Sequence, residues 1–167
     1  MKKGFTLIEL LIVIAIIGIL AVSLLPSILS APASARDAAK EAAVNNIVVA
    51  LEQYNSANGK YPTTLSCLDG TTDTTEALLA PLFKNGVPIP DVKSTPDNTT
   101  IMPAACTGFY YCPLKDARYI VTVAMEKQGT GKGRYLSSPA LTKCDGTEAA
   151  TTITTATTAQ NVFGILN

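Results

Sequence analysis

The chain has 167 residues, in which 13 Lys and Arg balance 13 Asp and Glu, and it contains no His and no Trp. The zero net charge argues against a nucleic-acid-binding protein with a basic surface. The missing His excludes Ser-His-Asp and Cys-His catalysis, His-ligated zinc and the usual general base. We therefore expect a protein that is not an enzyme and that holds no cofactor or metal.

The amino terminus is an apolar segment that follows two cations. Lys2 and Lys3 precede Phe5–Leu25, which is apolar with few exceptions. The exceptions are Thr6, Glu9 and Ser23. An α-helix over this segment would be about 30 Å long, which is enough to cross the hydrocarbon core of a bilayer. The positive-inside rule places its start in the cytoplasm and the rest of the chain outside.

Three interpretations of this segment compete. It can be a plain membrane anchor, or a secretory signal peptide cleaved after a small residue such as Ala35, which would release a secreted binding domain. Neither explains Glu9, because a carboxylate inside an apolar segment is costly and is expected to have a partner. In the third interpretation the chain is cut between Gly4 and Phe5, and the new α-amino group supplies that positive charge.

The residues from Lys3 to Ala21 are similar to a known processing motif. They read Lys-Gly-Phe-Thr-Leu-Ile-Glu-Leu-Leu-Ile-Val-Ile-Ala-Ile-Ile-Gly-Ile-Leu-Ala, which resembles the class III signal of type IV pilins and type II secretion pseudopilins. The resemblance implies that a prepilin peptidase cuts after Gly4 and methylates Phe5. It also implies that Glu9 pairs with the amino terminus of a neighbouring subunit during assembly.

The same resemblance implies the function, partners and location of the protein. It implies a structural subunit that polymerises into a helical filament, with a pseudopilin of a type II secretion system as the alternative. The partners would be other copies of the chain, the prepilin peptidase and an inner-membrane assembly platform, whereas nucleic acid is not indicated. The subunit would span the cytoplasmic membrane once and would become extracellular in the filament.

A long amino-terminal helix, over about residues 6–57, is predicted in two halves. Pro26 and Pro32 each remove a helical hydrogen bond, so we expect a kink or a locally unwound stretch over residues 22–34. Asn58-Gly59 is typical of a helix end. An apolar stripe in the second half should pack on a head, and it consists of Ala39, Ala43, Val44, Ile47, Leu51 and Tyr54. The polar positions are Arg36, Asp37, Lys40, Glu41, Asn45 and Glu52.

The rest of the chain predicts an α+β fold in which the long helix packs on a small antiparallel sheet, and the resemblance implies that this fold is pilin-like. A short helix should run from Thr74 towards Lys84, or end earlier at Pro81. Strands over 108–112, 118–126 and 134–138 fit a meander. The expected parts are a leader over 1–4, a hydrophobic half-helix over 5–33, an amphipathic half-helix over 34–57, a head over 58–145 and a Thr-rich tail over 146–167. The apolar end of the tail should dock onto the head or onto a neighbour.

The four cysteines predict two disulfides in a head outside the cytoplasm. They are Cys67, Cys106, Cys112 and Cys144. Three pairings are open, of which we favour Cys67–Cys106 with Cys112–Cys144. A zinc site of four thiolates is the alternative, although no CxxC pair supports it. Calcium-binding loops occur in some pseudopilins, but the loop acids lack EF-hand spacing and we expect them to be solvated. They are Asp69, Asp73, Asp91 and Asp97.

Overall fold

The structure of the chain is a computed structural model. The structure describes residues 4–70, 74–89, 96, 102, 105–129, 136–137, 154–155 and 160–166. The chain divides into two compact units, Met1–Ala35 and Arg36–Asn167. We call residues 5–35 the stem and the second unit the head.

A single helix, α1, runs from Leu7 to Asn58 and confirms the predicted long helix. It ends where the sequence predicts, because Gly59 adopts a left-handed conformation with φ of 71°. The Gly59 N–H donates to the Asn55 carbonyl at 2.7 Å and closes the last turn.

The helix is continuous across both prolines. All residues from 22 to 34 are helical, so the expectation of an unwound stretch is wrong for this structure. Each proline removes one backbone hydrogen bond, and the bonds on either side hold the turn together. Further along, the Ser34 hydroxyl donates to the Ser30 carbonyl at 3.3 Å. A kink near Pro26 and Pro32 stays a prediction.

The head is built on a four-stranded antiparallel sheet. Its strands are β1 (Ser66–Leu68), β2 (Phe109–Leu114), β3 (Arg118–Gly129) and β6 (Gln160–Leu166). They lie side by side in that order. The predicted strands over 108–112 and 118–126 correspond to β2 and β3, which pair from Tyr110 opposite Thr122 to Leu114 opposite Arg118. The small β1 is an element that the sequence analysis did not predict.

The strand predicted over 134–138 is present in its described part, but its predicted place next to β3 is wrong. The described part of the segment over 134–138 is β4, Leu136–Ser137, which pairs with β5, Thr154–Thr155, in a separate sheet. The neighbour of β3 is β6, from the carboxyl-terminal segment. This segment brings Val162 and Phe163, which are both buried, and so offers more apolar surface than β4. The expectation that the end of the tail docks onto the head is confirmed.

The short helix α2 ends at the earlier of its two predicted stops. It covers Thr74–Leu79 and passes into a 3₁₀ turn over Ala80–Leu82. Pro81 lies in the first residues of this turn, where its missing N–H is tolerated.

The sheet separates two apolar clusters. One lies between the sheet and α1, where Val44, Ile47 and Leu51 are fully buried, as the stripe predicts. The second is on the other face and includes Met102, Cys112, Ile120, Ala124 and Val162. The stripe is wrong at its beginning, because Ala39 is exposed whereas Asp37 and Lys40 are buried.

Within the head, tyrosines hold the last turns of α1 against the sheet and the segment that follows the helix. The Tyr61 and Tyr119 hydroxyls donate to the two carboxylate oxygens of Glu52 at 2.8 and 2.9 Å. The two rings contact each other edge to face, with centroids 4.8 Å apart. Tyr111 donates its hydroxyl to the Pro62 carbonyl at 2.7 Å. Burial raises the pKa of both Tyr111 and Tyr119, so these phenols remain protonated donors.

Two buried threonines make a matched stability test. The Thr122 hydroxyl is buried and has no hydrogen-bond partner among the described residues. Buried Thr75 instead donates to the Thr64 carbonyl at 3.0 Å. Since an unsatisfied buried hydroxyl costs about 1–3 kcal/mol, Thr122→Val should raise the free energy of unfolding by about 1 kcal/mol. Thr75→Val should lower it by about 1 kcal/mol, because it leaves the carbonyl without its donor.

Urea denaturation of the full chain in detergent micelles measures both changes. If Thr122→Val destabilises the head as much as Thr75→Val does, the assignment of Thr122 as an unsatisfied hydroxyl is wrong.

Candidate functional site: the amino-terminal stem

The stem exposes a continuous apolar surface. Between 48% and 81% of each large apolar side chain from Phe5 to Leu29 is accessible wherever the structure describes it. A soluble protein rarely leaves so large a contiguous apolar surface in water. This surface therefore requires an apolar partner, which can be lipid or another protein helix.

The stem also satisfies the dimensions of a membrane span. Within the described residues, one helix, α1, is long and apolar enough to cross a bilayer, and none of its most apolar stretch is buried in the structure. The core helix of a soluble protein would be mostly buried. The apolar stretch of the stem is therefore not part of a protein core in the subunit. Its length and composition are compatible with a membrane span.

Thr6 and Glu9 form a capping box at the start of α1. Thr6 precedes the first helical residue, Leu7, and its backbone N–H and hydroxyl both donate to Glu9 Oε2, at 2.8 and 2.6 Å. In return the Glu9 backbone N–H donates to the Thr6 hydroxyl oxygen at 3.3 Å. This reciprocal pattern satisfies two backbone donors that an α-helix leaves open at its amino terminus.

The capping box gives Glu9 a structural role that the sequence analysis missed. Its sequence pattern, Thr-x-x-Glu before an apolar run, is visible in residues 6–9. The carboxylate also lies at the positive end of the helix dipole, where a negative charge is favourable. The start of α1 is therefore well defined before any second subunit contacts it.

Glu9 remains open to a further partner. Its side chain is exposed, and the contacts described for its carboxylate all involve Oε2. A carboxylate oxygen can accept several hydrogen bonds, and it pairs most strongly with a charged donor such as an ammonium group. The geometry leaves room for such a donor without breaking the capping box.

The predicted processing site lies just outside the helix. Gly4 and Phe5 precede α1 and are exposed. Apart from Gly4 itself and its two chain neighbours, no heavy atom of the described residues lies within 4 Å of the position that a Cβ on Gly4 would occupy. The peptide bond between these residues is thus accessible on the subunit surface.

The three described cysteines of the head are in disulfides and do not form a thiolate cluster. Cys67 in β1 is bonded to Cys106, with their Cα atoms 5.5 Å apart, and this is one of the two favoured pairs. Cys112 is disulfide-bonded as well. Cys144 lies outside the described residues, so the Cys112–Cys144 pair stays a prediction. The alternative zinc site is wrong here, because these three sulfurs are not thiolates.

The loop acids give no support for a cation site in the described part of the chain. Asp69 follows β1, whereas Asp73, Asp91 and Asp97 lie outside the described residues. Among the residues that the structure describes, no group of three or more His, Cys, Asp or Glu side chains is arranged to hold a metal ion.

Comparison with known proteins places the stem and much of the head in one family. The family model for the prokaryotic N-terminal methylation motif matches residues 1–25. The type IV wide pilus major component PilA4 of Thermus thermophilus is 38% identical over 110 residues, which cover 66% of this chain and 70% of that protein. The chain belongs to the type IV pilin and pseudopilin family. The resemblance drawn from the residues around Gly4, Phe5 and Glu9 is thereby confirmed.

Pseudopilins are matched over shorter segments. The type II secretion system core protein G of Pseudomonas aeruginosa is 37% identical over 68 residues, which cover 41% of this chain and 48% of that protein. The protein of the same name in Escherichia coli is 37% identical over 87 residues, which cover 50% and 57%. The chain thus spans about half the length of these secretion proteins. No solved structure matches the pilin-family chain significantly.

Proposed function

We propose that this pilin-family protein is the structural subunit of a helical surface filament. A prepilin peptidase would cleave it after Gly4 and methylate Phe5, and the stem would drive polymerisation with other copies. The observation that carries the proposal is an exposed apolar stem whose one acidic residue, Glu9, is held at the helix start with an accessible carboxylate. Its role is structural and not catalytic.

Polymerisation follows from the chemistry of the stem. Before assembly the stem would lie in the cytoplasmic membrane, with the amino terminus in the cytoplasm and the head outside. In a filament, stems from many copies would bury one another, and each apolar side chain removed from water contributes about 1.5–3 kcal/mol. A membrane assembly platform would move the subunit between these two apolar environments.

Glu9 would determine the axial position of each subunit. Apolar contacts alone allow stems to slide, because neighbouring positions along the helix are similar in hydrophobicity. A buried carboxylate without a positive partner is costly, so positions in which Glu9 misses the amino group of a neighbouring Phe5 are penalised. The capping box would hold the carboxylate in place for this pairing.

A pseudopilin of a type II secretion system is the second candidate, because core protein G relatives match 41% and 50% of this chain. The pilin candidate is favoured because its relative is matched over 70% of its length. Deleting the gene separates the two candidates. Loss of surface filaments with normal protein secretion supports the pilin, and loss of secretion with normal surface filaments supports the pseudopilin.

The intact mass of the mature protein tests the processing step. We expect the chain to begin at methylated Phe5, because the accessible Gly4–Phe5 bond lies in the matched methylation motif. The measurement is mass spectrometry of the protein purified from membranes or filaments, with peptidase-deficient cells as the control. A chain that begins at Arg36 would instead identify a conventional signal peptide and would contradict the proposal.

A further inference from the structure

The first residues of the head make polar contacts with β3 that their sequence pattern does not suggest. Arg36 is the first residue of the head unit, and Asp37 and Lys40 follow on α1. Asp37 and Lys40 are only 9% and 3% exposed, although they occupy polar positions of the helix. Buried charges require specific partners, and here the partners belong to an irregular part of β3.

The irregularity is a bulge in β3. Residues from Ile120 to Ala124 pair regularly with β6, and the next pair joins Gly129 to Gln160. Residues 125–128 therefore lie outside the regular pairing with β6, so their backbone groups need other partners.

Side chains of α1 supply those partners. The backbone N–H groups of Glu126 and Lys127 donate to the two carboxylate oxygens of Asp37, at 2.8 and 2.9 Å. The Lys40 ammonium donates to the Ala124 carbonyl at 2.9 Å and lies 3.7 Å from Asp37 Oδ1. Side chains of α1 thus bind backbone groups of β3 at and beside the bulge.

Arg36 adds an ion pair at the edge of this contact. Its guanidinium donates through two nitrogens to the two carboxylate oxygens of Glu126, at 2.5 and 2.6 Å. The pair is partly shielded, with side-chain exposures of 32% and 13% for Arg36 and Glu126. Bidentate charge-assisted bonds of this kind are among the strongest hydrogen bonds in proteins. We call Arg36, Asp37 and Lys40, together with residues 124–127 of β3, the clamp.

Along the chain, the clamp is the first part of α1 that is bound to the sheet, and the apolar core begins only further on. Asp37 is the first buried residue of α1 among those whose burial is described, whereas the first apolar core residue is Val44, two turns further along. In water, a helix is stabilised mainly by tertiary packing, and the α1 residues before Arg36 whose burial is described are exposed except for half-buried Ala33. Without the clamp, the first contacts that hold α1 against the sheet would be those of Val44 in the apolar core.

We propose that the clamp fixes the amino-terminal limit of the rigid head at Arg36, so that loss of helical hydrogen bonds in the exposed stem stops there. Arg36, Asp37 and Lys40 are positioning residues in this role. The consequence for a filament rests on the proposed function. When a filament is pulled, the limit at Arg36 would determine how much of the α1 helix of each subunit can lengthen. The limit itself is a property of the single subunit and can be measured without any filament.

Hydrogen exchange of the full chain in detergent micelles, followed by mass spectrometry, tests the clamp. Amides 40–44 report the bonds that they donate to the carbonyls of residues 36–40. In the native chain we expect them to exchange as slowly as amides 47–51 and more slowly than amides 30, 31 and 33–35. In the double variant Asp37→Ala/Lys40→Met they should exchange roughly ten- to a hundredfold faster, while amides 47–51 and those of β2 remain unchanged.

The matched control is Ala38→Ser, an exposed position between the clamp residues, which should leave amides 40–44 unchanged. The proposal is overturned if the double variant leaves these amides unchanged, or if it accelerates amides 47–51 equally, which would indicate general loosening of the head. If the double variant does not fold, Asp37→Asn is measured instead and is judged by the same criterion. Filament formation is scored separately, so failure of the clamp and failure of the proposed function are distinguishable.

Discussion

Replacing Glu9 with Leu should leave the subunit in the membrane and abolish its filaments. Insertion should persist because Leu is favoured in an apolar span, whereas a carboxylate is not. Assembly should fail because the amino group of the neighbouring Phe5 would be buried without a negative partner. Loss of one member of a buried ion pair costs about 3–5 kcal/mol, which corresponds to a hundredfold or larger loss in the stability of each subunit contact.

Two further variants separate the charge of Glu9 from its role in the capping box. Glu9→Gln keeps the shape and an acceptor oxygen for Thr6 but removes the charge, so it should also prevent assembly. Thr6→Val removes the capping hydroxyl but keeps the carboxylate, so it should reduce filament yield and not abolish it. The measurements are membrane fractionation and electron microscopy of cells that express each variant. Normal filaments from Glu9→Gln would show that the charge is not required.

Replacing Gly108 with Ala should destabilise the head by about 3 kcal/mol or more. A Cβ at this position would overlap the Leu68 carbonyl oxygen, and it would lie 2.5 Å from the Leu68 carbonyl carbon and 2.8 Å from Asp69 Cα. These are backbone atoms of β1 and the residue after it, so no side-chain rotation relieves the overlap. The substitution should push β1 away from β2 at the Leu68–Phe109 pair.

Urea denaturation of the full chain in micelles measures this loss, with exposed Ala105→Ser in the same segment as the control. We expect Ala105→Ser to unfold within about 0.5 kcal/mol of the native chain, as surface substitutions usually do. A Gly108→Ala head as stable as the native one would show that β1 does not approach Gly108 as closely as described.

Local sequence patterns predicted the elements whose form depends on nearby residues. The end of α1 follows from Asn58-Gly59, and the early end of α2 follows from Pro81. The stripe through Val44, Ile47 and Leu51 identifies the buried face of α1 because helical periodicity brings these positions together. The capping box was equally local, and its pattern in residues 6–9 would have revealed it.

Contacts between distant segments were not predictable in the same way. The sequence assigns Asp37 and Lys40 to a polar face, and they are buried only because the bulge in β3 presents backbone groups to them. The neighbour of β3 is β6 and not the segment over 134–138, because pairing between distant strands depends on which one buries more apolar surface. Which strands pair and which polar residues become buried depends on the packing of the whole head, and a short stretch of sequence does not contain this information.

Electron microscopy of purified surface filaments, with peptide identification of their subunits, tests the central claim most directly. We expect filaments that contain this chain and that disappear from cells lacking its gene. Filaments that lack this chain, or a chain recovered only as a soluble protein, would contradict it.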